Sequence, residues 1–517
     1  MFNCLNRRNS LLLICLLGLS GCVVNPVTGQ REIALISAQQ EISIGQEQYV
    51  PSQQMQGGVY RTDPGLSAYV NQVGQKLAVA SGVDLPYEFV VLNNSVPNAW
   101  ALPGGKIAIN RGLLTELRNE AELAAVLGHE IAHAAARHGA KRVERGILSQ
   151  GVMIAAAIGA SGTEYSQEVL GSAALATQLF NQKYSRDAER EADFYGTQFM
   201  AKAGYDPLGA VTLQETFVRL AGAGQTDWIN GLFASHPASQ ERLNNNRGLL
   251  KQLRSEGYEG GVLGQPAYAR AMQDLRQAEP AYKAYDEARE LYAQGRYDAA
   301  LAKVNTSLSL RDNEALFHGL RGSIRYRQER YADAITNFDR ALERDDSYFL
   351  YYLSRGLSHA ELGRRDIARR DLSASVRLLP TAPAYQALGK LAEADGDLER
   401  AKQYYAQAGQ SNGQEGQAAR ASLVRLELPS QPAKYIAAGV SRDDRGRLVL
   451  QVSNRATLAL ADIVIQVEWL TANGVRSTTS RLEGLGPGET RLSLLNVDPE
   501  QIQNVNAYPV SARLKDQ

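Results

Sequence analysis

The stretch from residue 127 to 133 reads Leu-Gly-His-Glu-Ile-Ala-His and lies in a run rich in Ala, Leu and Glu, at about residues 119–142. This composition predicts a helix. Positions i and i+4 lie one above the other on a helix, so His129 and His133 can bind a single metal ion. Glu130 projects about 100° away from His129, where it can reach a water on that ion. The spacing is that of zinc peptidases; the alternative is an amphipathic helix with two surface histidines.

Two histidines leave a catalytic zinc ion one protein ligand short. All three cysteines lie within the first 22 residues, so the missing ligand must be His, Asp or Glu. Residues 185–193 read Ser-Arg-Asp-Ala-Glu-Arg-Glu-Ala-Asp, and on a helix Glu189 and Asp193 share a face while Glu191 points almost oppositely. We predict that Glu189 is the third ligand and that Asp193 accepts the free ring N–H of a ligand histidine. Read alone, the run also fits a solvated, charged helix face.

Several further segments carry a family resemblance. They are Asn-Pro-Val-Thr-Gly at residues 25–29, Asn-Ala-Trp-Ala-Leu-Pro-Gly-Gly at 98–105, the ExxxD spacing at 189–193, and Ser235-His236-Pro237 with Arg242. Over roughly residues 23 to 250 the sequence resembles the M48 metallopeptidases, gluzincins associated with membranes and envelopes. Trp100 stands where that family more often has a smaller aromatic residue, which leaves the preferred substrate side chains open.

The resemblance implies an α+β, zincin-type domain that holds Zn²⁺ and hydrolyses peptide bonds. The catalytic residues are then Glu130, which moves the water proton, Asp193 and His236. His236 is expected to donate to the oxyanion or to enter the open metal position, although a His-Pro pair in a loop can be purely structural. Arg242 is expected to pair with Asp193 or with the substrate backbone. The metal ligands are His129, His133 and Glu189.

The N-terminus predicts export. Two arginines precede an apolar run at residues 11–19, which is too short to span a bilayer. Residues 19–22 read Leu-Ser-Gly-Cys and resemble a bacterial lipobox, which implies cleavage before Cys22 and lipidation of that residue. The alternative is an ordinary signal with a chance cysteine. Because Val23 rather than Asp follows, the resemblance favours a periplasmic protein anchored to the inner face of the outer membrane.

The middle of the chain repeats itself. Small residues recur at intervals of 34, 34 and 33, at Ala300, Ala334, Ala368 and Ala401. This period is typical of tetratricopeptide repeats, which stack as helical hairpins around a concave groove that holds protein partners. An aromatic cluster could line the groove, or it could pack between repeats: Tyr348, Phe349, Tyr351 and Tyr352.

Near the C-terminus, apolar residues alternate at 448–452 and 463–469, with turn residues at 473–474 and 486–488. This pattern predicts a small β-sandwich. The whole chain of 517 residues is therefore expected to be multidomain and mainly α. The expected parts are a signal peptide at 1–21, a metallopeptidase domain at 22–262, an α-solenoid of repeats at 270–427 and the sandwich at 434–517.

Other candidate residues are expected to lie outside the site. His138 follows His129 by nine positions, which would turn it to the opposite helix face. His318 and His359 lie in the repeats without a carboxylate or histidine constellation, and are expected to be structural or surface residues. The Gly/Ala-rich run at 151–160 is either a lid over the site or simple core packing.

The function expected from these patterns is that of a zinc-dependent endopeptidase. The resemblance implies action on misfolded or stalled outer-membrane and periplasmic proteins, with the repeats docking the outer-membrane assembly machinery. An edge strand near residues 105–110 is expected to hold unfolded substrate by backbone pairing. The formal net charge is zero, which gives no indication of nucleic-acid binding. The alternatives are a repeat-based lipoprotein chaperone or scaffold, and a structural adaptor without metal.

Overall fold

The computed structural model describes residues 21–150, 183–222, 232–471, 474–496 and 503–515. Nearly all of the predicted signal peptide, the run at 151–160 and Asn473 lie outside the described residues. The chain divides into two compact units, Met1–Leu362 with Arg377–Leu379, and Gly363–Val376 with Pro380–Gln517. Among the described residues, no helix has the length and apolarity that a membrane crossing requires.

The first unit begins with the elements that surround the predicted site. The strands are β1 (Gly21–Val24), β2 (Arg31–Ala34), β3 (Glu88–Leu92), β4 (Ala99–Leu102) and β5 (Lys106–Asn110). The helices are α1 (Ala38–Met55), α2 (Pro64–Ser81), α3 (Arg111–Glu116), α4 (Glu120–Ala135), α5 (His138–Gln150), α6 (Arg186–Lys202), α7 (Leu208–Gly222), α8 (Leu232–Ser235) and α9 (Gln240–Ser255).

A three-stranded sheet lies against this helical layer. Its order is β3-β5-β4, with β3 parallel and β4 antiparallel to β5. The strand near residues 105–110 that was expected at an edge is β5, and its backbone is paired on both sides. That expectation is wrong, because the return of the chain through β4 covers the second side of β5. The outer edge of β4 has no strand partner in the described part of the chain.

The helix α4 begins and ends for local reasons. The Asn119 side chain accepts a hydrogen bond from the backbone N–H of Glu122, which caps the first turn. At the other end Arg137 adopts a left-handed backbone conformation, with φ of 62°, which an α-helix cannot contain. The helix expected to run to about residue 142 is therefore broken, and α5 starts in a new direction.

Two glycines bring α4 and α6 into backbone contact. A Cβ on Gly128 would lie 2.7 Å from the carbonyl oxygen of Gly196, and a Cβ on Gly196 would lie 2.7 Å from the backbone nitrogen of His129. Any side chain at these positions would push the helices apart. The close crossing places the first turns of α6 directly beside the His-Glu-x-x-His segment of α4.

The repeats of the first unit follow as antiparallel helix pairs. Their small residues are buried where the helices cross, as Ala300 and Ala334 are, and a Cβ on Gly322 would strike the Phe338 ring. Tyr348 and Tyr351 are buried and pack edge to face. The ring of Tyr351 lies against Gly319 of another repeat helix, whereas the ring of Tyr348 lies against Gly58 of the peptidase region. The helices are α10 (Gln265–Ala271), α11 (Gln273–Ala293), α12 (Tyr297–Leu310), α13 (Ala315–Arg327), α14 (Tyr331–Arg344) and α15 (Phe349–Glu361).

The second unit combines further helices with two three-stranded sheets that share an apolar core. The predicted class, multidomain and mainly α with strands near the C-terminus, is confirmed. The helices are α16 (Arg365–Leu378), α17 (Ala382–Ala394), α18 (Leu398–Ala408), α19 (Gln414–Glu427) and α20 (Pro432–Tyr435). The strands are β6 (Ile436–Arg442), β7 (Leu448–Asn454), β8 (Leu460–Thr471), β9 (Gly474–Leu485), β10 (Thr490–Leu494) and β11 (Gln503–Leu514), ordered β10-β7-β6 and β11-β8-β9.

Candidate metal centre

Four side chains converge where α4 and α6 cross. His129 and His133 come from α4, Glu189 from the first turn of α6, and His236 from the residue after α8. One potential ligand atom from each lies within 4.8 Å of all the others. The Nε2 atoms of His129 and His133 are 3.0 Å apart, and Glu189 Oε1 lies 3.3 Å from His133 Nε2. The structure thus brings together the three residues predicted as metal ligands, and adds a third imidazole.

The chemistry of this donor set fits a divalent cation. Asp193 Oδ1 lies 3.0 Å from His129 Nδ1, as predicted for the acceptor of its ring N–H. A neutral imidazole has only one N–H, so His129 Nε2 presents a lone pair to the other ligand atoms. Glu130 lies beside them, and its Oε2 is buried without a hydrogen-bond partner among the described residues. Imidazole and carboxylate ligands of this kind suit zinc.

Arg242 fixes the charges of the two carboxylates on α6. Its guanidinium makes two contacts of 2.7 Å with Asp193, and its Nη1 lies 2.8 Å from Glu189 Oε2. Burial alone would raise the pKa of Glu189, but the charges of His236 and Arg242 hold it well below its usual range. Burial likewise opposes ionisation of Asp193, and Arg242 nevertheless lowers its pKa. Both carboxylates therefore remain ionised at neutral pH.

The pKa values of His133 and His236 are shifted in opposite directions. Burial holds the pKa of His133 well below its usual range, which keeps that ring neutral, the form that binds metal. Burial would also lower the pKa of His236, but the charges of Glu189 and Glu130 raise it. The Nδ1 atom of His236 is 2.9 Å from Glu189 Oε1, and its Nε2 is 3.6 Å from Glu130 Oε1. This ring therefore lies between the third ligand and the predicted base.

The expectation that His138 points away from the site is wrong. Because the chain turns at Arg137, the ring folds back, and its Nδ1 lies 2.8 Å from Nδ1 of His133. The sequence reasoning also missed Tyr184, whose ring stacks on His133 at 3.8 Å between centroids. Burial raises the pKa of Tyr184 to about 12. No local signal marks Tyr184, since it precedes α6 and reaches the site only through the fold.

A helix that carries His-Glu-x-x-His, joined by a glutamate from a second helix, defines a metallopeptidase domain of the gluzincin class. Residues 64–249 match the model of Peptidase family M48, and residues 285–349 match a tetratricopeptide repeat model. The chain therefore combines an M48 peptidase domain with tetratricopeptide repeats, which confirms the predicted resemblance.

Curated relatives resemble the peptidase region. The mitochondrial metalloendopeptidase OMA1 of Schizosaccharomyces pombe is 35% identical over 178 residues, which is 34% of this chain and 50% of the relative. The beta-barrel assembly-enhancing protease of Escherichia coli K12 is 30% identical over 228 residues, 42% of this chain and 46% of the relative. Metalloprotease YcaL of the same organism is 34% identical over 177 residues, 33% of this chain and 66% of the relative. The chain spans about half the length of the first two relatives.

Proposed function

We propose that this protein is a zinc-dependent endopeptidase of the bacterial envelope that degrades misfolded or stalled outer-membrane and periplasmic proteins. The observation that carries the proposal is the convergence of His129, His133 and Glu189, with the free carboxylate oxygen of Glu130 beside them. Zinc held by these three residues would supply Lewis acidity to a water molecule and to the scissile carbonyl.

The proton transfers belong to Glu130. Its buried oxygen without a partner is placed to accept the proton of the attacking water and to hand it to the leaving amine. Asp193 holds the ring of His129 through Nδ1, and Arg242 holds Asp193 in turn. His236 either donates to the oxyanion or occupies the open ligand position in a resting form. Its Nδ1 contact with Glu189 is compatible with both roles.

A small cavity of about 30 Å³ lies beside His129 and Glu130. Half of the residues in its wall are polar or charged, Asp193 and Arg242 among them, and the others are apolar, among them Ala125, Val126, Leu213, Phe217 and Leu232. The apolar part of the wall suits a small apolar substrate side chain next to the scissile bond. Unfolded envelope proteins expose side chains of this kind, which agrees with a quality-control role.

The setting of the enzyme is part of the proposal. Lipidation of Cys22 would anchor it at the inner face of the outer membrane, and the repeats would dock protein partners such as the assembly machinery. The relative named beta-barrel assembly-enhancing protease supports this direction. A chaperone or scaffold that works through the repeats is the second candidate, since the repeats would serve it equally.

The test compares the purified wild type with Glu130→Gln and His129→Ala on unfolded casein, with the metal content of each measured. We expect the wild type to cleave and to hold one zinc ion. Glu130→Gln should keep the zinc and lose cleavage by about 10²–10⁴-fold, the usual contribution of a general base. His129→Ala should lose both. Cleavage by Glu130→Gln at the wild-type rate would refute the mechanism. If cells that carry Glu130→Gln lose the function of the protein, that result would argue against the scaffold alternative.

A further inference from the structure

We propose that His138 and Glu191 position His133 for the metal, through a line of contacts that runs Glu191–His138–His133. The inference rests on the proposed function, because it takes His133 to be a ligand. The two rings are in direct contact, with 2.8 Å between their Nδ1 atoms, and both residues are buried. The Nε2 atom of His138 lies 3.6 Å from Oε1 of Glu191.

The position of the proton on each ring follows from the ligand atom. When His133 binds a metal through Nε2, its proton must lie on Nδ1. That N–H donates to Nδ1 of His138, which accepts only if the ring carries its own proton on Nε2. This second N–H faces Glu191 Oε1, a buried oxygen without a hydrogen-bond partner among the described residues. A carboxylate therefore stands behind each ligand histidine, directly for His129 and through a second ring for His133.

The fold holds His138 in this place from outside the site. Arg137, whose left-handed backbone turns the chain back, donates through Nη2 to the carbonyl of Ile36 at 2.9 Å and through Nε to the buried carboxylate of Glu41. Gly139 lets the following turn approach Pro103, since a Cβ there would lie 3.2 Å from the proline ring. These contacts anchor both neighbours of His138, so its ring is a fixed support for His133.

Such a line acts on metal retention. Partners that orient a ligand histidine typically contribute 10–100-fold to metal affinity or activity, because they fix the tautomer and the direction of the lone pair. We therefore expect His138→Leu, which removes both ring nitrogens, to weaken zinc binding by about 10–100-fold. His138→Asn should recover much of the loss, since its side-chain oxygen can accept from His133. Glu191→Ala should have a smaller effect, because it removes only the outer link.

The experiment measures zinc release from the purified full-length protein to a chromophoric chelator, and the visible spectrum after substitution with Co²⁺. Asp187→Ala is the matched control for Glu191→Ala, because it removes an equal charge from an exposed position on the same helix, away from His138. His318→Leu is the control for loss of a buried histidine elsewhere. Both controls should release zinc like the wild type, whereas His138→Leu should release it faster and alter the Co²⁺ spectrum.

The outcomes separate the two proposals. If the wild type binds zinc, His133→Ala does not, and both His138→Leu and Glu191→Ala retain it like the wild type, the positioning line is refuted while the enzyme proposal stands. If the wild type binds no zinc, both are refuted. Should His138→Leu fail to fold, Glu191→Ala decides, because Glu191 is partly exposed and its loss is tolerated more easily.

Discussion

Two buried glutamates of the first unit show how a site differs from a structural joint. Glu314 lies where the repeats pack on the peptidase region, and it accepts from Thr62 Oγ1 at 2.7 Å, from Asn93 Nδ2 at 3.0 Å, from the backbone of Leu316 at 3.1 Å and from the Tyr282 hydroxyl. All of its partners are neutral donors. They satisfy the carboxylate without any further ligand.

Glu189 is equally buried, but its surroundings are different. Its neighbours are imidazole nitrogens and a guanidinium, and at least one of those nitrogens presents a lone pair rather than a proton. Burial of a carboxylate therefore does not identify a ligand site. A ligand site is identified by comparing the number of hydrogen-bond donors with the number of acceptors around the carboxylate. Acceptors that face each other need a cation between them.

The largest effect that this comparison predicts is for Glu189→Ala. Removal of a direct ligand should cost more than the roughly 10–100-fold expected for an orienting partner. We expect the purified variant to contain only background zinc and to lose cleavage of unfolded casein. Metal analysis and a chelator titration measure this, with Asp187→Ala, an exposed carboxylate of the same helix, as the control. One zinc ion per chain in Glu189→Ala would contradict the assignment.

The next largest effect is expected for Arg242→Leu, which should lower the free energy of unfolding. Its loss leaves Asp193 and Glu189 buried without their cation, and breaking a buried ion pair costs about 3–5 kcal/mol. Urea unfolding in excess chelator measures the free energy of unfolding without the contribution of metal binding. The exposed pair of Arg247 with Glu215 offers the control, since Arg247→Leu should cost about 0–1 kcal/mol. Equal costs for the two variants would argue against a charge-balancing role of Arg242.

Glu314→Ala should destabilise the contact between the repeats and the peptidase region without changing zinc binding. The donors of Thr62, Asn93 and Tyr282 would be left unsatisfied, at about 1–3 kcal/mol for a buried polar group. We expect a lower free energy of unfolding and an unchanged zinc affinity. Glu343→Ala, in an exposed position of α14, is the control and should alter neither quantity. A large loss of zinc affinity in Glu314→Ala would contradict a purely structural role of Glu314.

The smallest effect concerns His318, a buried histidine without a ligand role. Burial lowers its pKa, so the unfolded state binds more protons than the folded state as the pH falls through the unfolded value of about 6.5. The folded state therefore loses stability on acidification, and His318→Gln should remove part of that loss. The measurement is the change in melting temperature between pH 7.5 and 5.5 in excess chelator. If the pH dependence of the melting temperature is unchanged in the variant, His318 does not contribute to the loss of stability on acidification.

The sequence was sufficient for the parts that depend on local spacing. The intervals of four in His129–His133 and Glu189–Asp193 fix which side chains share a helix face, and the period of 34 fixes the repeats. The roles of Gly128 and Gly196 could not be predicted from the sequence. Their close approach depends on contact between two helices, at positions that lie more than sixty residues apart in the chain. The domain boundaries and the lipidation of Cys22 stay predictions.

The errors have a common physical origin in long-range contacts. A continuous helix to about residue 142 agreed with composition, but Arg137 leaves the helical conformation while contacting Ile36 and Glu41, about a hundred positions earlier. The same turn reversed the expected direction of His138. The position of β5 in the sheet depends on β4 returning beside it, which alternation within one strand cannot reveal.

The metal site is tested by anomalous scattering at the zinc absorption edge from crystals of the purified wild type. We predict one peak about 2.0–2.2 Å from His129 Nε2, His133 Nε2 and a carboxylate oxygen of Glu189, and none beside Glu314. A peak elsewhere, or no peak between those three side chains in a zinc-loaded crystal, would refute the assignment of these residues as metal ligands.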